Sequence, residues 1–572
     1  MSLVGKDKYV IGLSFGYHDS AAALMKDGHI LSAVEEERFT GIKHDNSFPS
    51  NSIDWILESN NLTIHDIEIV CYYENPFEKK NRIKDVAKRT FFKNPIGNSK
   101  ILINSLFPKD DVYNSIRKYF HKNIEVVYGD HHLSHKAYAY YTSTFKDSAV
   151  LTVDGVGEYE TTTLSVFNGN QNIPIQSIEF PHSLGLLYST ITAFLGFKPN
   201  EGEYKVMGLA PYGTHLFHHK KFQKLFYLTD DGGFRLNMKY FTYEYSDKTM
   251  FNSKLSELFE IPNRLPEEPI NDIHRNIAAA LQNTYEFLFF RLLDKLQVES
   301  KSKNLCLSGG CAYNGTANGK ILERTKFKQL WIPPAPSDAG SAIGALLAFY
   351  YNRSNNKRVS NKTPFLGPEQ TNKDFIELCK NDKRVHWEVI PDNTLFKKVS
   401  KLISEGNIIG WVQGKLEFGA RALGNRSILA DPRDPQMKKR VNMVVKKREG
   451  FRPFAPMVTL EHRTKFFNPP YHIPYMNQII RVNDEHQDKL PAITHTDGSA
   501  RVQTVTNKFN PRIHRLLQEY GKLTGYPILL NTSFNLKDQT MVRDGQEAID
   551  TFMKCDMDYL VLGNVFLTKK IQ

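Results

Sequence analysis

At 572 residues the chain exceeds what one hydrophobic core organises, and its 41% hydrophobic and 12% aromatic content can fill two or more. Its five cysteines (Cys71, Cys306, Cys311, Cys379, Cys555) are scattered, odd in number and form no CxxC pair, which argues against a disulfide framework or a structural zinc site and fits a reducing cytoplasm. The formal charge of +12 comes without any nucleic-acid module, so it reads as a solvated basic surface with a few cations aimed at small anions, not as a nucleic-acid partner.

The opening MSLVGKDKYVIG has no signal-peptide pattern, and the most apolar run, Ser341 to Tyr351, is too short for a bilayer, so neither export nor a membrane is expected. Residues 9–39 read as a hairpin: a strand-like stretch to Met25, a tight turn at Lys26-Asp27-Gly28, and a returning strand. The pattern recurs at 149–180, with the turn at Asn168-Gly169-Asn170. Two such hairpins in successive halves predict a duplicated α/β domain with a cleft, an arrangement similar to actin-like ATPases and sugar kinases. The aromatic stretch Tyr240, Phe241, Tyr243, Tyr245 suits either stacking on an acceptor ring or a core. The spacing of Ile273, Ile277, Ala280, Leu281, Tyr285, Leu288, Leu292 and Leu296 predicts a core-facing helix over 272–298. A strand then turns through Gly309-Gly310, a helix follows over Asp338–Tyr351, and the polar, basic, proline-ended stretch 352–366 reads as a linker. The first domain is therefore expected over 1–351 and the second over 367–572.

Three constellations carry chemistry. His131 and His135, four apart in HHLSH, share one face of a helix and can share a cation. His132 projects about 100° away and is a poorer ligand. With Asp154 at a strand end and Asp338 opening a helix they make a set of nitrogen and oxygen donors, better suited to Fe, Mn or Zn than to Mg or Ca. The bland alternatives are two packed histidines and a helix cap at Asp338. The glycine turn at Ser308-Gly309-Gly310, with Asn314 beyond it, lets backbone approach a ligand or merely packs helix on sheet. His18, in His18-Asp19-Ser20, sits at a strand end that can equally be a plain turn. Finally Arg421, Arg426, Lys446, Arg448, Arg452 and Arg501 lie in segments rich in Gly, Pro and aromatics, and Asn531 and Ser533 close the strand PILLN. Such a set suits phosphate or carboxylate oxygens, or else a surface ion-pair network.

The ordered motifs EEERFTGIKHDNSFP (35–49), DHHLSHKAYAYY (130–141), VDGVGE (153–158), KVMGLAPYG (205–213), LSGGCAYNGTANGK (307–320), PPAPSDAGSAIGA (333–345), ALGNRSILADPRDPQMK (422–438), FRPFAP (451–456), DGSARVQTV (497–505) and LNTSFN (530–535) closely resemble the NodU/CmcH-type O-carbamoyltransferases over nearly the whole chain. That resemblance implies an actin-like, threonylcarbamoyl-transferase-like domain followed by a YrdC-like α/β domain. It implies that carbamoyl phosphate and ATP (with Mg) give a carbamoyl-adenylate in the second domain. The carbamoyl group then passes to a hydroxyl of a small-molecule acceptor in the first. By the same resemblance, Arg421, Lys446, Arg452, Arg501, Asn531 and Ser533 hold carbamoyl phosphate and ATP, with Asn314 beside them. His131, His135, Asp154 and Asp338 hold one transition metal, Fe or Mn before Zn, and His18 and Lys43 face the activated carbamoyl group. Lys446, Arg452 and Arg501 neutralise charge on the leaving phosphates, and His18 is the general base. Ala420 stands where the family usually has Pro, which loosens that turn. The alternative is a tRNA-modifying enzyme of the threonylcarbamoylation type.

Overall fold

The computed structural model describes residues 8–106, 112–352, 357–446, 452 and 454–570. The chain divides into two compact units, one of Met1–Gly16, Ala21–Leu31 and Ile56–Lys362, the other of Tyr17–Ser20, Ser32–Trp55 and Thr363–Gln572.

The first unit holds two five-stranded sheets, except that one edge strand, His29–Glu35, belongs to the second unit from Ser32 on. One uses β1 (Tyr9–Ser14), β2 (Ala21–Lys26), β3 (His29–Glu35), β4 (Ile67–Tyr72) and β5 (Glu125–Tyr128), in the order β3-β2-β1-β4-β5. The other uses β6 (Asp147–Val153), β7 (Glu160–Asn168), β8 (Gln171–Glu179), β9 (Asn304–Ser308) and β10 (Gln329–Trp331), in the order β10-β9-β6-β7-β8. Both follow one plan. The first strand pairs antiparallel with the second and parallel with the fourth, so a hairpin lies on one side and a crossover on the other. This is the duplicated, actin-like α/β domain.

Each expected opening strand is in fact two. The stretch after Tyr9 breaks at Gly16–Ser20, where Gly16 (φ 94°) and Asp19 (φ 54°) reverse the chain. The stretch after Ala149 breaks between Val153 and Glu160. His18 and Asp154 sit in these two breaks.

The helices that matter here are α1 (Pro76–Arg89), α2 (Pro95–Leu106), α3 (His131–Thr142), α4 (Asp272–Ser300) and α5 (Asp338–Asn352). On α4 the predicted face is buried except Ile273, which is exposed in the first turn. Of the aromatic stretch, Phe241 is fully buried and Tyr243 donates its hydroxyl to Pro181 O at 2.7 Å, so both serve packing. Helix α5 approaches α3 on a glycine pair. A Cβ at Gly344 would lie 2.0 Å from Ser134 O, and one at Gly340 would lie 2.4 Å from Tyr138 Cε1. Any larger residue would force the two helices apart.

The second unit is built on β11 (Val385–Val389), β12 (Ile409–Val412), β13 (Arg426–Ala430), β14 (Ala455–Thr459), β15 (Gln503–Val505), β16 (Ile528–Ser533), β17 (Tyr559–Leu562) and β18 (Val565–Lys569), ordered β11-β18-β17-β12-β13-β16-β14-β15. Alternate residues feed opposite cores: Ile428 and Ala430 pack with helices Asn372–Asn381 and Gly545–Met553, Leu429 with helices Asp392–Ser404 and Pro511–Thr524.

Candidate functional site

The first group forms where α3, the break after β6 and the start of α5 meet. Asp130 caps α3 by accepting from Leu133 N at 2.6 Å, which places His131 in the first turn and His135 one turn on. His135 Nε2 lies 2.7 Å from Asp154 Oδ2 and 3.4 Å from Asp338 Oδ1; His131 Nε2 lies 3.3 and 3.8 Å from the same oxygens. One donor atom from each of the four residues falls within 4.8 Å of the others, and all four are buried. Burial opposes charge on His131, but Asp338 and Asp154 outweigh it and raise the imidazole to about 10. Asp154 is likewise held ionised against its burial by the two histidines. Two imidazoles and two carboxylates in a buried space can exchange those protons for a metal ion, and the donor set fits one.

The surrounding shell orients the ligands. Glu158, pushed up to about 7 chiefly by burial, accepts His131 N at 3.0 and 3.1 Å, and Ser341 Oγ lies 3.1 Å from His135 Nδ1. His132 is turned away as its helical angle predicts. Its ring bonds Thr152 Oγ1 at 2.7 Å and Glu160 O at 2.9 Å, and burial drives its pKa well below the usual value.

The second group lies in the other unit, around the C-terminal end of β16. Ser533 pairs with Ser427 of β13 on one side, and Asn531 pairs with Ala455 of β14 on the other. The loop before β13 carries Arg421, and Arg452 lies three residues before β14, so both lead into this end of the sheet. Lys446 reaches the same place: its ammonium, buried, donates to Ser533 O and Asn535 O at 2.8 Å each and to Asn535 Oδ1. Asn531 donates to Ala422 O and Gln503 Oε1, both at 3.0 Å, while its buried Oδ1 has no hydrogen-bond partner among the described residues. Gln503 in turn follows Arg501 by two residues.

Buried carboxylates shape the Arg421 loop. Glu417, fully buried, accepts the N–H groups of Leu423, Asn425 and Arg426 at 2.7, 2.8 and 3.2 Å. At the loop's other end, Glu35 Oε1 accepts Gly419 N at 2.6 Å and Arg38 Nη2 donates to Gly419 O at 3.1 Å. Gly419 is thus pinched between a carboxylate and a guanidinium from EEERF. The same segment brings His18 and Lys43 into this unit. Asp19 accepts from His44 Nδ1 at 2.6 Å and lies 3.1 Å from His18 Nδ1, with Asp19 and His44 both at φ 54°. Burial would raise the Asp19 pKa, yet the two imidazoles hold it far down, and the Asp19 carboxylate raises that of His44 against the effect of burial.

Two of the groups picked out by the sequence make extensive bonds within the protein. Arg426 is 1% exposed and gives its guanidinium to the carbonyls of Gln413, Gly414, Asn425, Pro368 and Arg543, so it is a structural strut. Asn314 lies in the first unit, caps a helix through Ala317 N at 3.1 Å and exchanges two hydrogen bonds with Gln282. Arg448 lies outside the described residues. Sequence reasoning missed Glu35, Arg38, Glu417, Asp19 and Glu158. Charged residues in motifs full of Arg and His were the available signal, but the partners, backbone groups for Glu35, Arg38, Glu417 and Glu158 and two imidazoles for Asp19, follow from no spacing rule.

The family model described as Carbamoyltransferase N-terminus matches residues 9–347, and the one described as Carbamoyltransferase C-terminus matches 400–569. The chain belongs to the carbamoyltransferase family. This carbamoyltransferase is 40% identical to the uncharacterized protein sll1178 of Synechocystis sp., over 99% of this chain and 97% of that protein. It is 35% identical to the nodulation protein NolNO of Sinorhizobium fredii, over 97% of this chain and 79% of that protein. To the nodulation protein NolO of Bradyrhizobium diazoefficiens it is 37% identical, over 77% of this chain and 79% of that protein. Among the described residues no helix is long and apolar enough to cross a membrane.

Proposed function

We propose that the enzyme makes a carbamoyl-adenylate at the cationic end of β16 and passes its carbamoyl group to a hydroxyl of a small-molecule acceptor. Water cleaves carbamoyl phosphate to carbamate and phosphate. A carbamate oxygen then attacks the α-phosphorus of ATP and expels pyrophosphate. The acceptor hydroxyl next attacks the carbamoyl carbon, the bond to AMP breaks, and the hydroxyl proton leaves to a base. The observation that carries this reading is the convergence of Lys446, Asn531, Ser533 and the Arg421 and Arg452 segments on one strand end, a set suited to several phosphate oxygens.

In this scheme Lys446, Arg452 and Arg501 offset charge on the departing pyrophosphate, and Arg421 holds a phosphate of carbamoyl phosphate or ATP. Lys43 faces the nucleotide. His18, oriented by Asp19, takes the acceptor's proton through its other ring nitrogen. His131, His135, Asp154 and Asp338 would hold one transition metal, with Fe or Mn preferred to Zn, and such an ion supplies Lewis-acid activation of a bound oxygen. Mg accompanies ATP. The YrdC-like character of the second unit and its reach over 367–572 are part of the proposal.

The test follows pyrophosphate and carbamoylated product separately. Wild type is expected to release pyrophosphate only with both carbamoyl phosphate and ATP. Because phosphate leaves carbamoyl phosphate in either case, ADP in place of AMP and pyrophosphate is the result that would overturn the adenylate.

A further inference from the structure

The helical hairpin of α1 and α2 is anchored at its base beside the metal-ligand shell, where the cap residue Asn75 donates its N–H to Glu158 Oε1 and Arg82 donates to Gly157 O, each at 2.6 Å. Over Pro76–Leu106 the segment carries eight lysines and arginines against Glu78 and Asp85, a net +6 and half of the chain's +12. With carboxylates outside it, Lys79 pairs with Glu74 at 2.6 Å, and Arg89 and Lys93 pair with Glu244 at 2.9 and 3.5 Å. The composition alone reads as a solvated surface. The turn between the helices adds a different fact: Phe92 is 93% and Ile96 87% exposed, the two most exposed large apolar side chains among the described residues.

These side chains are held out by a built turn. Asn98 Nδ2 donates to Thr90 O and Oγ1 at 2.9 and 3.0 Å, and Gly97 N donates to Asn94 Oδ1 at 3.1 Å. Asn94 Nδ2 and Arg89 Nη2 then tie the turn to Tyr245 O (2.8 Å) and Glu244 Oε1 (2.9 Å). Down α2, Ile96, Lys100 and Ile103 follow at i, i+4 and i+7 and share one exposed face, while Asn98 is buried. On α1, Lys80, Lys84 and Lys88 repeat at i+4 with Phe77 one turn before them.

We propose that this hairpin docks the enzyme on an anionic lipid surface, with Phe92 and Ile96 entering the interface and the lysines against the headgroups. Cations beside projecting apolar side chains are the chemistry of a segment that lies on a membrane, which needs no spanning helix. A side chain exposed to 93% suits a fluid interface that closes around it, whereas a protein partner would need a matching pocket. A second copy of the chain is disfavoured because it would bring the same +6 against itself.

Co-sedimentation of the full chain with phosphatidylcholine vesicles, with and without phosphatidylglycerol, tests this. Binding to the anionic vesicles is expected to be at least about tenfold stronger and to weaken with salt. Phe92→Ser with Ile96→Ser is expected to lower it on the order of tenfold, and Lys88→Glu with Lys100→Glu to remove the preference for phosphatidylglycerol. Thermal unfolding of both variants should match wild type, since all four side chains are exposed. Equal binding to both vesicle types, no binding, or binding unaffected by the serine pair overturns the proposal. Competition by polyglutamate with the serine pair fully active would assign the hairpin to an acidic macromolecule instead. Concentration-dependent dimerisation abolished by the same variants would assign it to a second copy.

Discussion

The two candidate sites of this carbamoyltransferase are built in opposite ways. The four metal-ligand candidates stand at the ends of regular elements, a helix face, a strand end and a helix start, and meet side chain to side chain. The cationic group gathers the end of β16 and the loops around it, and it is placed largely by bonds to backbone: Lys446 on Ser533 O and Asn535 O, Asn531 on Ala422 O, Gly419 between Glu35 and Arg38. A site made of regular elements is as rigid as their packing. A site made of loops is as rigid as the buried carboxylates that tie them down.

Separate damage to the two proposed stages, through two residues that both lie in the second unit, is the strongest test. Lys446→Ala should lower pyrophosphate release and product formation together by on the order of a hundredfold or more, as loss of a cation at a phosphoryl centre does. His18→Ala should stop product formation while pyrophosphate release continues. Synthetic carbamoyl-adenylate should then restore product in the Lys446 variant and leave the His18 variant inactive. If both variants lose pyrophosphate release and neither is rescued, the two stages are not separable.

His131→Ala or His135→Ala should strip most bound transition metal, read by elemental analysis, and cost about 3–5 kcal/mol of stability by leaving carboxylates buried without their partner. Gly344→Ala tests the packing behind that site. Its Cβ would meet Ser134 O at 2.0 Å, so α3 and α5 must separate, at about 1–3 kcal/mol in a denaturant titration and with reduced metal content. Pyrophosphate release should hold in all three.

Glu35→Gln sharpens the loop side of the comparison. The amide keeps the shape but weakens the bond to Gly419 N, so the Arg421 loop loosens. We expect a several-fold rise in KM for carbamoyl phosphate, a smaller change in kcat, and unchanged metal content. An unchanged KM would mean that the pinch on Gly419 has no bearing on binding. His132→Ala should have the smallest effect on either site. It forfeits two hydrogen bonds, about 1–3 kcal/mol on thermal unfolding, and leaves metal loading near wild type.

Much of the metal group was legible because a helix has a fixed pitch: His131 and His135 at i, i+4 and His132 off to the side follow from 3.6 residues per turn. The cationic group was legible only as a density of Arg and Lys, which does not separate Lys446, whose ammonium closes on one strand end, from Arg426, whose guanidinium is consumed by five carbonyls. Both opening strands were read as continuous although the breaks at 15–20 and 154–159 carry glycine and polar residues, Gly16 with His18-Asp19-Ser20 and Asp154-Gly155 with Gly157-Glu158; the apolar runs on either side of each break outweighed that turn signal.

By itself, then, the sequence determined the alternation of strands and helices, the duplicated hairpins and the residue types each site would draw on. These depend on local periodicity and turn chemistry, which act over a few neighbours. Only the tertiary structure decided which compact unit His18 and Lys43 join, which arginine is a strut, and which carboxylates hold the Arg421 loop. Those outcomes are contacts between segments up to 384 residues apart, as from Glu35 to Gly419, and they are selected by the need to satisfy buried backbone groups once the chain has closed.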